Sequence, residues 1–256
     1  MPGLLDLAAA SGEDLSASSD IAASAIRGFG LEASEAAHVA DVLAANANMT
    51  NSSVAQTGEA LKYIAPVARA AGISLEETSA AIGLMANAGI QGSQAGTTLR
   101  GALSRLSKPT GDMCQVMDQL GLEFYDSEGK MKSLHDQIEM LQKATKGMTD
   151  EQRNNALVTL YGQESLSGML ALINEGPDSL DKLTKSFQEC DGIAKETAAT
   201  MQDNFQGAFE QMTGSLETLA IRLYDSVSEP LKNLAVLGTD AINQLTTGLQ
   251  TNGAAG

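Results

Sequence analysis

Residues 89–103 read G-I-Q-G-S-Q-A-G-T-T-L-R-G-A-L, and the spacing of their four glycines decides between three kinds of fold. A glycine-rich loop that binds phosphate would indicate a nucleotide-using enzyme with a strand before the loop. A stripe of small residues would indicate close packing of helices, in a membrane or in water. Glycines at a break between two amphipathic segments would indicate a turn between helices.

The phosphate-loop interpretation fails on spacing. That motif requires Gly, four residues, and then Gly-Lys-Ser/Thr after a strand. Gln91 stands where the first glycine would precede Gly96, and Thr97 stands where the lysine is required. A stripe of small residues on a membrane-spanning helix is also excluded. Arg100 follows directly, and the apolar window is far short of the roughly 20 residues that a span needs. Packing of soluble helices and a turn between them remain.

Helix signals continue on both sides of this stretch. Apolar residues recur at the i, i+3, i+4, i+7 spacing of one helix face over 36–43, and similar faces follow through the chain to about residue 190. Gly or Pro interrupts them at short intervals. Three Ser/Thr-x-x-Glu/Gln patterns predict capping boxes at helix starts. They are Ser53 with Gln56, Ser74 with Glu77, and Thr149 with Gln152.

Residues 89–100 are therefore interpreted as a helix–turn–helix junction. Gly89 ends one helix in the left-handed conformation, and Ile90 packs back into the core. Ser93 is predicted to cap the next helix, and Gly96 to let a neighbouring backbone approach closely. Upstream, Pro66 is predicted to bend or end the helix that Ser53 opens.

Composition supports an all-α protein. Aromatic residues make up only 4%, Trp is absent, and Ala, Leu, Met, Gln and Glu are common, which favours helix over sheet. The formal charge is −16, which disfavours specific nucleic-acid binding and anionic membrane surfaces. No apolar run approaches the length of a membrane span. The two cysteines, Cys114 and Cys190, are both predicted to be buried free thiols.

The predicted fold is a bundle of short amphipathic helices with two additions. L-E-F-Y-D-S-E-G-K-M-K predicts one minor β-hairpin near 123–132, with two or three residues in each strand. From 194 to 228 no proline intervenes, and apolar residues alternate at spacings of four and three, which indicates a longer helix in a coiled coil or a bundle. A final amphipathic helix follows Pro230. We expect 1–192 to be a compact helical core domain cut from a longer protein, and 193–256 to hold these last two helices.

No residue pattern indicates an enzyme, a cofactor or a metal. His38 with Asp41, and His135 with Asp136, are interpreted as solvated helix faces, because metal sites need three or four ligands. The carboxylates are scattered, so no catalytic dyad stands out. No nucleophile elbow G-x-S-x-G is present.

Several phrases resemble the core region of phage tail tape measure proteins. They are D-V-L-A-A-N-A-N at 41–48, A-L-K-Y-I-A-P-V-A-R-A-A-G-I-S-L-E-E-T at 60–78, L-M-A-N-A-G-I-Q-G-S-Q-A-G-T-T-L-R-G-A-L-S-R-L at 84–106, L-G-L at 120–122, G-K at 129–130 and L-Y-G-Q-E at 160–164. The most distinctive is A-G-T-x-L-R after G-I-x-G-S. The resemblance covers roughly 15–230. The residues taken as its structural signature are Gly72, Gly89, Ile90, Gly92, Ser93, Ala95, Gly96, Thr97, Leu99 and Arg100.

The resemblance implies a structural protein of a phage or prophage virion. Members of that family lie in the lumen of the tail tube, set its length during assembly in the host cytoplasm, and leave with the genome at ejection. The implied partners are the tail tube protein, the tail assembly chaperones and the tail tip or baseplate proteins, with a homo-oligomer in the virion. No cofactor is implied.

Two other classes stay open at this stage. One is a non-enzymatic α-helical interaction module, such as an effector or adaptor, which the neighbouring genes would distinguish from a tail protein. The other is a cell-wall hydrolase, since some tape measure proteins carry such domains elsewhere in the chain. We expect no hydrolase activity from this segment.

Overall fold

The computed structural model describes residues 2–205, 208, 209 and 212. These residues form eleven α-helices, a short 3-10 helix and the start of one further helix, so the predicted all-α class is confirmed. The α-helices are α1 Pro2–Ser11, α2 Leu15–Phe29, α3 Ala36–Met49, α4 Val54–Ala70, α5 Leu75–Asn87, α6 Gly92–Leu106, α7 Gly111–Leu120, α8 Leu134–Thr145, α9 Asp150–Tyr161, α10 Gln163–Glu175 and α11 Pro177–Gln188. The 3-10 helix Ala33–Glu35 precedes α3. The further helix, called the C-terminal helix below, covers 193–205, and residues 208, 209 and 212 are also helical.

Apolar faces of α1 to α11 meet in one core, which runs from Leu7 to Ala194. Its largest fully buried side chains are Tyr161, Phe124 and Phe187. The predicted capping boxes form at Ser53 with Gln56 and at Thr149 with Gln152. Each reciprocal pair satisfies two backbone N–H groups that a helix start would otherwise leave free.

Pro66 does not end its helix, in contrast to one of the two predicted outcomes. α4 continues through Pro66 to Ala70, although proline removes one backbone hydrogen bond and crowds the preceding turn. The flanking residues Ala65 and Ala68 are buried. Their packing offsets the local cost, so the helix continues to Ala70, and Gly72 then turns the chain at a φ of +75°.

The hairpin predicted for 123–132 is reduced to one antiparallel bridge, between Tyr125 and Met131. The Asp126 carboxylate closes the turn, because its Oδ1 accepts the backbone N–H of Lys130 at 2.9 Å. The backbone N–H groups of Asp126 and Lys132 also donate across the turn, to the carbonyls of Lys130 and Phe124 at 2.9 Å, and the pairing ends after the one bridge.

The prediction for the cysteines is correct for Cys190 and wrong for Cys114. Both are free thiols, but Cys190 is buried and Cys114 is exposed. α7 buries Met113 alone, and the next position on a helix turns by about 100° away from the core. The face that α7 packs against the core consists of Met113, Val116, Met117 and Leu120, and Cys114 lies outside it.

The chain divides into two compact units, Met1–Gln202 and Asp203–Gly256. The helix predicted to continue to residue 228, its coiled-coil or bundle packing, and the final amphipathic helix after Pro230 lie outside the described residues. The domain boundary after residue 192 stays a prediction. Within the described part of the chain, no single helix has the length and apolar character of a membrane span, and α9 with α10 reaches them only as a pair bent by 118°.

The buried hydroxyl of Tyr161 gives a first testable prediction. Its ring packs edge-on against Phe124, with 6.5 Å between centroids, but its OH has no hydrogen-bond partner among the described residues. Removing an unpaired buried hydroxyl relieves its desolvation cost. Tyr161→Phe is therefore expected to leave the free energy of unfolding unchanged or to raise it by up to about 1 kcal/mol, as measured by urea denaturation.

The matched control is Tyr125→Phe, since the Tyr125 OH donates to the Leu106 carbonyl at 3.5 Å. That change should cost a few tenths of a kcal/mol to about 1 kcal/mol. Greater destabilisation by Tyr161→Phe than by Tyr125→Phe would show that the Tyr161 hydroxyl is satisfied.

Candidate functional site

The turn between α5 and α6 reverses the chain at Gly89, whose φ is +84°. The Gly89 N–H donates to the Ala86 carbonyl, and the Ile90 N–H donates to the Met85 carbonyl, both at 2.9 Å. This is the six-to-one hydrogen bond of a Schellman-type helix end, with an apolar residue after the glycine. Ile90 is buried, so the turn anchors itself to the core.

Gly89→Val is expected to lower the free energy of unfolding by at least about 1 kcal/mol, the cost of a strained left-handed residue. The cause would be backbone strain alone, because a Cβ at Gly89 meets no atom within 4 Å. Gly89→Asn is the matched control, since Asn adopts the left-handed region more readily. Equal melting temperatures for wild type and Gly89→Val would refute this assignment.

Ser93 does not cap α6, and that prediction is wrong. The helix begins at Gly92, its N-cap residue is Gln91, and no side chain caps it. The Gln91 amide is used for tertiary contacts instead: it donates to the Asn51 carbonyl at 2.6 Å and accepts from Gln56 Nε2 at 2.8 Å. Ser93 is exposed.

These contacts join the α5–α6 turn to the start of α4. A further bond runs from the Asn51 N–H to Asn87 Oδ1 at 2.8 Å. The two turns therefore hold each other through amide groups from both sides. Nothing in the local pattern of either turn predicts the link, because its partners lie 35 to 40 positions apart.

Gly96 lies where α6 packs directly against the backbone of α4. A Cβ placed on Gly96 would stand 2.2 Å from the Ala60 carbonyl oxygen and 2.9 Å from its Cα. The neighbouring positions Ala95 and Leu99 are buried on the same face. Gly96 thus sets the distance between the two helices.

The remaining signature residues lie on the outside of the junction. Thr97 and Arg100 are exposed. The Arg100 guanidinium lies 5.6 Å from the centroid of the Tyr63 ring on α4, a cation–π distance. Gly72 lies apart from this cluster, at the end of α4, and a Cβ there meets nothing within 4 Å.

Asp41 is buried, so the predicted solvated face at His38 and Asp41 is wrong. Its two carboxylate oxygens accept the backbone N–H groups of Gly192 and Ala194, both at 2.9 Å. These are donors at the start of the C-terminal helix, where backbone N–H groups lack partners within the helix. A carboxylate also complements the positive end of a helix dipole. α3 therefore caps the C-terminal helix from across the fold.

Two asparagines extend this anchoring along α3. Asn46 is fully buried, donates to the Ser79 carbonyl on α5 at 2.9 Å and accepts from the Thr50 hydroxyl at 2.7 Å. Asn48 donates to the Thr197 hydroxyl of the C-terminal helix at 2.7 Å. The phrase D-V-L-A-A-N-A-N thus supplies polar contacts to two neighbouring helices as well as an apolar face.

His38 lies between two carboxylates. Its Nε2 is 2.9 Å from Glu76 Oε1 on α5, and its Nδ1 is 3.0 Å from Asp191 Oδ1. Burial disfavours the charged ring, but hydrogen bonds to Asp191 and Glu76 and their charges outweigh it, so the pKa of His38 is raised above 6.5.

The capping box predicted for Ser74 and Glu77 forms only in part. The Ser74 hydroxyl accepts the Glu77 N–H at 3.2 Å, but the Glu77 carboxylate accepts the His135 N–H at 3.0 Å. Glu77 therefore serves the first turn of α8 rather than its own helix start. Burial raises the pKa of Glu77, against hydrogen bonds from the backbone of His135 and Leu134.

The other predicted solvated pair lies at the surface. His135 Nδ1 is 3.3 Å from Asp136 Oδ1, and Asp136 is exposed. Among the described residues, no group of three or more His, Cys, Asp or Glu side chains could hold a metal ion.

A cleft of about 760 Å³ lies between the ends of α4 and α6 and the 124–132 turn. Arg69, Ser104, Tyr125 and Lys130 are among its lining residues. Arg69 lies in the last turn of α4, where a cation complements the partial negative charge of the helix carbonyl end. Lys130 pairs with the Glu128 carboxylate at 2.9 Å. The charges of Arg69 and Lys130 are thus explained without a ligand.

Taken together, the junction and the α3 anchors fix how the helices pack, and they define an α-helical protein. Comparison with known proteins specifies the class. A family model described as phage-related minor tail protein matches residues 1–162. The chain belongs to this family of phage tail components.

Two relatives agree with that assignment. The chain is 57% identical over 230 residues to the tape measure protein of Pneumococcus phage Dp-1, a match that covers 90% of this chain and 20% of that protein. It is 33% identical over 227 residues to the probable tape measure protein of Escherichia phage P2, covering 88% of this chain and 28% of that protein. The chain thus spans between a fifth and under a third of the length of these relatives. No solved structure matches it.

Proposed function

We propose that this chain is the folded domain of a phage or prophage tail tape measure protein. The observation that carries the proposal is the 57% identity over 230 residues to a protein named for that function. The family assignment over residues 1–162 agrees with it. The protein would act within the machinery that sets tail length and accompanies genome ejection.

The lengths of the described helices favour a compact domain over the part of the protein that measures tail length, called the ruler below. A ruler gains most length as continuous helix, at about 1.5 Å per residue. The longest described helix, α4, has 17 residues, which is about 26 Å. The chain folds these helices back on one core, so this segment adds far less length than the same stretch of sequence would add as one straight helix.

The proposed surroundings are the lumen of the tail tube in the virion and the host cytoplasm during assembly. The proposed partners are the tail tube protein, the tail assembly chaperones and the tail tip or baseplate proteins, with several copies of the protein together. The chain's charge of −16 supports this placement, because an acidic surface in the lumen would repel passing DNA. We propose no specific nucleic-acid binding.

The test is a nonsense codon in the gene of the phage or prophage that encodes this chain, with electron microscopy of the particles. We expect tails of uniform length to disappear and to return in a suppressor host. An in-frame deletion in a long helical part of the parent protein is the companion variant, and it should shorten the tails in proportion to the residues removed. Tails of normal length from the nonsense variant would overturn the proposal.

We further propose that the segment has no enzymatic activity. The purified chain is expected to release no more soluble fragments from peptidoglycan than buffer does, with lysozyme as the positive control. Release above buffer by the chain would overturn this part of the proposal and leave the tail assignment in place.

A further inference from the structure

We propose that His38 is a protonation-dependent latch, which holds the loop 189–192 and the first turns of the C-terminal helix against α3 and α5. The inference goes beyond the proposed function, because it concerns how one helix is attached to the core. It rests on the contacts of both ring nitrogens and on the few contacts that fix this part of the chain.

The two ring nitrogens of His38 face two carboxylates. A neutral imidazole has one N–H donor and one acceptor nitrogen, whereas ionised carboxylates offer only acceptors. His38 presents Nε2 to Glu76 at 2.9 Å and Nδ1 to Asp191 at 3.0 Å. Both contacts are hydrogen bonds only when both nitrogens carry a proton. Loss of one proton turns one contact into an approach of two acceptors.

When the His38 ring loses a proton, the contact to Asp191 is the one that is lost. Its side chain is 84% exposed, whereas that of Glu76 is 17% exposed, so water replaces the contact to Asp191 at little cost. Burial opposes the charge of Glu76, but hydrogen bonds from its own backbone and from His38 outweigh this, and the pKa of Glu76 is lowered. Glu76 therefore stays ionised and holds the remaining N–H of His38.

The charged and titratable groups around His38 come from each neighbouring element. α3 contributes Asp41, α5 contributes Glu76, and the loop contributes Asp191 and the Cys190 thiol. Asp41, Asp191 and Glu76 each act on Cys190, whose pKa burial and these charges raise to about 12. The Cys190 thiol is therefore neutral, and the imidazolium of His38 counters the charge of the three carboxylates.

The latched segment is held by few other contacts. Gly192, with φ +89°, precedes the C-terminal helix, which buries Ala194 and Ala198. Asp41 and Asn48 add the polar bonds described above. Residues 199–202, the last of this compact unit, are exposed. The helix thus docks through its first two turns, next to the loop that His38 holds.

The direction of the pH effect follows from linkage. Because the pKa of His38 is raised in the folded state, the contribution of the latch is complete below the unfolded-state pKa of 6.5 and is lost as the pH rises through the folded-state value. The pKa of Glu76 is lowered from 4.5 in the folded state. Its contribution to stability is therefore complete above pH 4.5 and is lost only as the pH falls through its folded-state pKa. The latch therefore loosens on the alkaline side.

Cys190 offers a direct reporter, since it is a buried residue of the loop itself. Cys114→Ser leaves it as the single thiol of the full chain, and its reaction with Ellman's reagent requires the loop to open. At pH 6 we expect the Cys114→Ser chain to react about fivefold more slowly than Cys114→Ser/His38→Gln, the effect of roughly one hydrogen bond of about 1 kcal/mol. The two rates should converge within about twofold at pH 9. Comparison at each pH cancels the intrinsic pH dependence of the thiol.

Asp191→Asn is a second variant in case His38→Gln does not fold, because it changes only an exposed side chain. It should speed the reaction by a larger factor at pH 6 than at pH 9, because the loss of the Asp191 charge on the thiol is common to both pH values. Asp136→Asn, beside the other histidine, is the control and should leave the rate unchanged. A rate ratio that does not change with pH, or a His38 resonance that titrates below 6.5 in a His135→Gln chain, would overturn the proposal.

Discussion

Gly96→Val is expected to lower the free energy of unfolding by at least about 3 kcal/mol, at the upper end of what overpacking costs. The added Cβ would lie 2.2 Å from the Ala60 carbonyl oxygen. That atom belongs to the backbone of α4, so no change of rotamer removes the clash. α6 must instead move away from α4, which opens the core along Ala95 and Leu99.

The matched control for this change is Gly111→Val. Gly111 is also helical, but a Cβ there meets nothing within 4 Å, so we expect a change within about 0.5 kcal/mol. Urea denaturation of both variants measures the difference. Similar stabilities for Gly96→Val and Gly111→Val would show that α4 and α6 do not approach at Gly96.

Asp41→Ala is expected to lower the free energy of unfolding by about 2–4 kcal/mol, because it removes two charge-assisted hydrogen bonds. The N–H groups of Gly192 and Ala194 are then left without their acceptor. The loss should concentrate at the start of the C-terminal helix. Hydrogen exchange at these two amides is therefore expected to accelerate more than exchange in α4 or α6.

Two variants separate the roles of the Asp41 side chain. Asp41→Asn keeps one acceptor oxygen and should cost less than Asp41→Ala. Asp118→Ala removes an exposed aspartate of α7 and should change stability by no more than about 0.5 kcal/mol. Uniform acceleration of exchange across the fold in Asp41→Ala would contradict the local capping role.

The parts of the fold that follow local rules could be predicted from the sequence. Helix periodicity, the boxes at Ser53 and Thr149, and the reversal at Gly89 each depend on residues within four or five positions of one another. Such signals exist in any short window of the chain. They suffice for the fold class and for the turn between α5 and α6.

The parts that were missed depend on partners far away in the sequence. Asp41 caps backbone N–H groups more than 150 positions away, and Glu77 caps His135, 58 positions away. A carboxylate on a helix pattern gives no local sign that it is buried, and solvation is the commoner fate of such residues. The Gln91 side chain likewise does not cap α6, and it bonds to Gln56 and to the Asn51 carbonyl at the start of α4 instead.

The central claim is that this segment of a tail protein is a compact folded domain rather than a length of extended helix. Small-angle X-ray scattering of residues 1–202 tests it most directly. A compact unit of this size has a radius of gyration of about 17 Å, and this is the value we predict. A straight helix of the same length would extend about 300 Å, with a radius of gyration on the order of 90 Å. A radius of gyration close to the compact value would support the account, and the scattering profile of a long rod would contradict it.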